Sequence, residues 1–365
     1  MPIRNHLVEP TNPKNSYSEY DDVRFQISFI GRKLVLNSIR VLGKVILANN
    51  GTAADVRIDN FIGAHSFIEE VLTSTNNQGL LETIQAYPRM VGMMRKATLD
   101  QVNLMNSEYT CEMSAPTQMI ARQVLKGNTL KTGSVDVTQS ADFSIKPHCV
   151  INQAEGNQML SYSKTGDISL NLRLNRNDQV VFGANAGATT EYSLTDLRVS
   201  FLTVDDDGKV DTHLMRQKVT LQQPVQSSFV SISSKVPAER CVGVVASFME
   251  NKRQSNYEYN DVQQMELPNV SAVNFLFNDS ENRFITYEIT NNVDVLTRYL
   301  QAYRRDGQTD ATIQKIEANK AYGIGLNFEG VLDLSNQKFT TQITSDVSNT
   351  NPYTAYFYFM NNITL

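Results

Sequence analysis

Hydrophobic residues fall on every second position over long stretches of this chain. Ile168-Ser-Leu170-Asn-Leu172-Arg-Leu174 alternates without a break, and Leu197-Arg-Val199-Ser-Phe201 repeats the pattern. Toward the C-terminus come Ile324-Gly-Leu326-Asn-Phe328, Phe339-Thr-Thr341-Gln-Ile343 and Ala355-Tyr-Phe357-Tyr-Phe359. A period of two sends successive side chains to opposite faces of a strand, one face for burial and one for water. The apolar run Val242-Gly-Val-Val-Ala-Ser-Phe248 instead predicts a strand buried on both faces.

Other elements follow from local signals. The apolar stretch Phe25 to Leu47 predicts two strands broken near Gly31. Short strands are expected at Val56–Ile58 and Ile68–Thr75, with turns at Asn49-Asn-Gly51 and Asn76-Asn-Gln-Gly79. Arg89 to Lys96 reads as helix, as does Ser114 to Lys126, where Ser114 caps, Pro116 sits early and Gly127 ends it. Slipped alternation at Leu202 predicts a bulge. Asp205-Asp-Asp-Gly208 is a sharp polar break, taken as the boundary between halves. In the second half, Val219–Leu221 and Phe229–Ile232 are expected strands, and Val273–Phe277 pairs with Phe284–Tyr287 in a hairpin. A helix is expected over Val293 to Arg305, capped by Asn292, and a weaker one over Ala311 to Ala318.

Helices are few and do not alternate regularly with strands, so the fold class is all-β with a few inserted helices, built as sandwiches or barrels. Residues 1–20 hold Pro2, Pro10 and Pro13 without periodicity and read as an extended N-terminal arm. Two domains are expected, 21–209 and 210–365. The length of 365 residues at 41% hydrophobic content suits two cores.

Charge and cysteines narrow the function. A formal net charge of -5 gives the whole protein no electrostatic footprint for nucleic acid, and no specific nucleic acid is expected as a partner. Cys111, Cys149 and Cys241 stand far apart, without the paired spacing of a zinc or redox motif. A sparse, odd count fits a reducing cytoplasm. No secretion leader and no apolar run of spanning length is visible.

Candidate chemistry is thin. His65 and Glu69 have helical i, i+4 spacing, but two ligands do not hold zinc. Asp205, Asp206, Asp207 and Asp211 around Gly208 lack the alternation of a calcium loop. Gly183-Ala-Asn-Ala-Gly187 has no following lysine for phosphate. Glu258, Asp261 and Glu266 form the acid set for a carboxylate-pair reading. The Tyr356/Tyr358 face of the last strand is expected to meet a protein partner. No catalytic, cofactor-binding or metal-ligating residue is assigned, and no cofactor is expected.

One resemblance adds to these readings. Ile58-Asp-Asn-Phe-Ile-Gly63-Ala-His65-Ser66-Phe-Ile, then Ser74-Thr-Asn-Asn-Gln-Gly79-Leu-Leu-Glu82, then Tyr87, resembles the first barrel of double jelly-roll major capsid proteins of tectivirus-like phages, virophages and polinton-like viruses. Ile168 to Leu174 with Tyr192 to Val204 is similar to that barrel's closing strands, and Gly323-Ile-Gly325-Leu-Asn-Phe328 to the second barrel's end.

The resemblance implies two antiparallel eight-stranded jelly rolls side by side and pseudo-hexameric homotrimers that tile an icosahedral shell. It also implies contacts with neighbouring capsomers, penton and minor capsid proteins and an internal lipid membrane. The protein would then reside in the virion after synthesis in the host cytoplasm, without enzymatic activity. The alternatives are a phage receptor-binding or carbohydrate-binding β-sandwich protein and a sandwich-fold glycoside hydrolase.

Overall fold

Alternation becomes strand wherever the sequence carries it. The structure, a computed structural model, describes residues 2–49, 57–59, 62–98, 111–113, 137–154, 158–182, 190–210, 212–253, 267, 269–277, 282–288, 297–302 and 323–365. In the first half the strands are β1 Arg4–Val8, β2 Asp22–Ile27, β3 Arg32–Val35, β4 Arg40–Asn49, β5 Arg57–Ile58, β6 Ile68–Thr75, β7 Gly79–Ile84, β8 Val137–Ile145, β9 Met159–Ser161, β10 Ile168–Leu174, β11 Val181–Phe182 and β12 Thr190–Asp205. In the second they are β13 Leu214–Val225, β14 Phe229–Lys235, β15 Cys241–Glu250, β16 Ala272–Phe277, β17 Asn282–Glu288, β18 Ile324–Leu332, β19 Lys338–Thr344 and β20 Tyr353–Thr364. The main helix, α1, is Tyr87–Thr98.

The same topology occurs twice. Number the principal strands of each half one to eight: β1, β2, β4, β6, β7, β8, β10, β12, and then β13 to β20. Each half then pairs one–eight–three–six in one sheet and two–seven–four–five in the other. That is the jelly-roll arrangement, two interleaved Greek keys closed into a sandwich. Inward side chains alternate as the sequence predicts. β2 runs exposed–buried along its whole length, with Val23, Phe25 and Ile27 in the core.

The two sandwiches are fused at one edge. β7 of the first half and β13 of the second run parallel, with Thr83 opposite Val219. One sheet of eight strands, β18–β15–β20–β13–β7–β6–β10–β2, therefore crosses both halves. α1 lies against this sheet. Arg89 donates to the Phe248 carbonyl at 3.4 Å, and the Tyr358 hydroxyl donates to the Ala86 carbonyl at 3.0 Å. Residues 297–302 are helical, and Tyr299 donates to the Met93 carbonyl at 2.9 Å. Covered on both faces, β15 has all ten residues buried, as its apolar sequence predicts.

Three expectations change. The N-terminal residues are not a free arm. Arg4–Val8 pairs along β12, where His6 stacks on Phe201 with ring centroids 4.9 Å apart. The segment that follows closes the outer edge of β2, with Asn12 donating to the Asp22 carbonyl at 2.7 Å and accepting from the Arg24 N–H at 3.0 Å. The bulge in β12 falls at Asp196, where φ is 52° and the register shifts, not at Leu202. Phe25 to Leu47 makes three strands, because the chain turns again between β3 and β4 at Asn37, φ 64°. The helices expected at 114–126 and 311–318 lie outside the described residues.

Candidate functional site

The chemistry-bearing side chains gather in two places: a buried polar network inside the first jelly roll, and the seam where the two jelly rolls meet. The network forms because the short turn Gly63–Phe67 packs its five residues inward beside α1. His65 Nδ1 lies 2.8 Å from the Tyr87 hydroxyl, which accepts the His148 N–H at 3.0 Å. Nε2 of the same ring stands 3.4 Å from the acceptor-only carboxylate oxygen Glu112 Oε2; with the ring proton on that side, Nδ1 accepts from the Tyr87 hydroxyl. Glu112 also pairs with Arg95 of α1 and accepts the Lys146 N–H at 3.2 Å. Burial pushes the His65 pKa down and the His148 pKa well down, so both rings are neutral at physiological pH. Glu112 is held far below the usual carboxylate range: its own burial opposes this, and the His65 and Arg95 contacts prevail. With no opening to solvent at His65, this is a cross-brace between the 63–67 turn, α1, Glu112 and the segment that follows β8.

At the seam, Glu82 of β7 is 1% exposed. Its Oε1 accepts the Lys218 N–H of β13 at 2.6 Å, and its Oε2 accepts the Val150 N–H at 2.6 Å. Lys218 turns its ammonium to Gln153 Oε1 at 3.3 Å. Elsewhere on the seam lies a cavity of about 210 Å³ lined by Glu69, Arg89 and Arg176 and, from the second half, Gln222, Met249 and Tyr356. The Arg89 guanidinium stands 5.7 Å above the Tyr356 ring.

The candidates named from sequence scatter. His65 and Glu69 do not share a site: His65 faces the network, Glu69 the seam cavity. Among the described residues no three His, Cys, Asp or Glu side chains converge on a metal-sized site. Asp205 pairs with Arg32 at 2.7 Å and Asp207 with Lys33, while Asp211 lies outside the described residues. So do Gly183 to Gly187, and Glu258, Asp261 and Glu266. The Tyr356/Tyr358 face is not free for a partner, since both rings are buried under α1 and its leading turn. Sequence reading missed Arg95, Glu112, His148 and Lys218 as members of polar clusters.

No family model matches the chain, and no curated protein matches it in sequence. Its fold is matched among solved structures. The Faustovirus major capsid protein superposes with a TM-score of 0.65 at 8% identity, covering 100% of this chain and 90% of that one. A chain in the cryo-EM structure of the Sputnik virophage gives 0.62 at 9% identity, over 100% and 86%. The mavirus major capsid protein gives 0.52 at 10% identity, over 98% and 86%. The chain has the double jelly-roll fold. Within this double jelly roll, Gly63, His65, Glu82 and Tyr87, all in the stretch that carries the sequence resemblance, occupy the network and the seam.

Proposed function

We propose that this double jelly-roll protein is a major capsid protein that forms homotrimeric, pseudo-hexameric blocks tiling an icosahedral shell, and that it acts structurally and not as an enzyme. The observation that carries the proposal is the doubled eight-strand topology, matched over the full length of the chain by viral capsid proteins. Two upright sandwiches per chain make six in a trimer, which gives a near-hexagonal outline from three copies. In this reading residues 1–209 form the first jelly roll, with the former arm as its first strand, and residues 210–365 the second.

The ends of the shared sheet differ in a way that supports an inside and an outside. Ile30, Leu80, Leu214 and Val331 are exposed at the end with short turns. The strand ends bordering residues 254–266 and 303–322 lie at the other. The apolar short-turn end suits the shell interior, toward minor proteins or lipid. Native mass spectrometry of the purified chain should show a trimer, and electron micrographs should show hexagonal blocks. A monomer that persists at high concentration would defeat the proposal.

A further inference from the structure

We propose that the seam cavity is a saccharide subsite that takes one neutral pyranose residue of a surface glycan. The proposal rests on the shell reading only for the direction in which the cavity faces. Both jelly rolls build it: Glu69, Arg89 and Gln179 from the first half share it with Gln222 and Tyr356 from the second. It is a formed recess and not loose surface. Arg89, Asn175, Met249 and Tyr356 in its wall are each less than a tenth exposed. Arg89 is held by the Phe248 carbonyl and the Tyr356 ring, and the Asn175 carboxamide donates to the Ser66 carbonyl at 3.1 Å. Side chains fixed in this way need little reordering when a ligand arrives, which lowers the cost of binding.

The rest of the lining selects the ligand. Among the described residues, the Glu69 carboxylate and the carboxamides of Gln179 and Gln222 have no hydrogen-bond partner. A carboxylate only accepts, whereas a carboxamide both donates and accepts. Three such groups around one recess match a ligand with several hydroxyls, each able to give one hydrogen bond and take others. Charge points the same way. Arg176 is neutralised by Asp178, with Nε donating to Oδ1 at 2.9 Å, and Glu69 stands against Arg89. With Glu69 ionised the recess carries no net charge, so an ionic ligand would give up hydration without an unpaired counter-charge to meet it. Ala86, Pro88 and Met249 supply an apolar side for the C–H face of a ring. At about 210 Å³ the space falls below the ~300 Å³ at which pockets for drug-sized ligands begin, so it suits a single ring.

The place of the recess says where the glycan comes from. Glu69 lies at the start of β6, Asn175 just past β10, and Met249 next to the last residue of β15. The strand pairing puts these at the end opposite Ile30, Leu80, Leu214 and Val331, the end that faces outward in the proposed shell. A single ring buries few heavy atoms, so binding to one copy should be weak, on the order of millimolar. Many copies on one particle would raise the effective concentration of sites and turn weak single contacts into firm attachment.

Saturation-transfer NMR on the purified full-length protein tests the assignment at pH 8, above the value of about 7 to which burial pushes Glu69. The probes are methyl glycosides of glucose, galactose, mannose and N-acetylglucosamine, with those of glucuronic and sialic acid as charged counterparts. At least one neutral glycoside should receive saturation at millimolar concentration. Gln222→Ala and Glu69→Gln should each weaken its binding by roughly 3- to 10-fold. Gln222 is exposed on its strand, so its variant keeps the test decisive even where Glu69→Gln does not fold. No saturation of any neutral glycoside, a preference for the charged sugars, or binding unchanged in Gln222→Ala would overturn the proposal. Native mass on the same samples separates this inference from the shell reading. A trimer that ignores every sugar defeats the subsite and leaves the shell standing; a monomer that binds a neutral sugar through Gln222 does the reverse.

Discussion

Gly63 and Gly79 offer a matched pair for testing how closely the first jelly roll is braced. Both have left-handed backbones, φ +57° and +74°. They differ in surroundings. A Cβ on Gly63 would stand 2.2 Å from the Glu112 carbonyl oxygen and 2.6 Å from the Met113 carbonyl carbon, whereas one on Gly79 would meet nothing within 4 Å. Alanine at either position carries the left-handed penalty of about 1–2 kcal/mol. At Gly63 the backbone overlap adds about 1–3 kcal/mol, because the atoms in the way are main chain and cannot swing aside. Pushing residue 112 outward also stretches the Ala64 N–H bond to the Glu112 carbonyl, now 2.8 Å, and draws the carboxylate away from Arg95. Gly63→Ala should therefore cost at least about 2 kcal/mol more than Gly79→Ala. The chain has no tryptophan, so urea titrations followed by circular dichroism or tyrosine fluorescence are the suitable assay. A difference below about 1 kcal/mol would refute the close approach of the 63–67 turn to residues 112–113.

Two further predictions are independent of that one. Cys111 is exposed while Cys149 and Cys241 are buried, and burial pushes both buried thiols up to about 12. A thiol-reactive chromogen should therefore label one cysteine rapidly in native protein and the other two only in denaturant; rapid labelling of more than one contradicts the packing. His6 is held below its ordinary value of 6.5, first by burial and then by Arg32 and Arg4, so its contribution is present above pH 6.5 and lost as pH falls through the lowered value. Exchange protection of residues 199–203 should accordingly fall on acidification from pH 7 to 5, and His6→Gln should abolish that dependence. An unchanged pH response in the variant would remove His6 from the explanation.

Legibility in the sequence followed burial. β10, with its unbroken alternation, and β15, apolar throughout, were readable because a face or both faces meet a core. β1 is not readable, since Leu7 points outward, 55% exposed, and its pairing with β12 bridges nearly two hundred residues of sequence. The Tyr356/Tyr358 face misled for a related reason. Period-two patterning says that a second face exists, not that a helix from the other half will cover it. The polar clusters left no periodic trace: Glu112 meets His65, and Glu82 meets Lys218, only after the sandwiches close. The Gly63–His65 and Glu82–Tyr87 stretches carry the resemblance, while their physical roles arise from contacts made across the fold.

The parallel join of β7 to β13 has a mechanical consequence. The Thr83–Val219 pair sets β7 against β13, and Glu82 and the turn leading into α1 bridge the same junction, so strand pairing and packing together set the angle between the two sandwiches of a chain. If copies of this chain close into a shell as proposed, the curvature has to arise where one copy abuts the next.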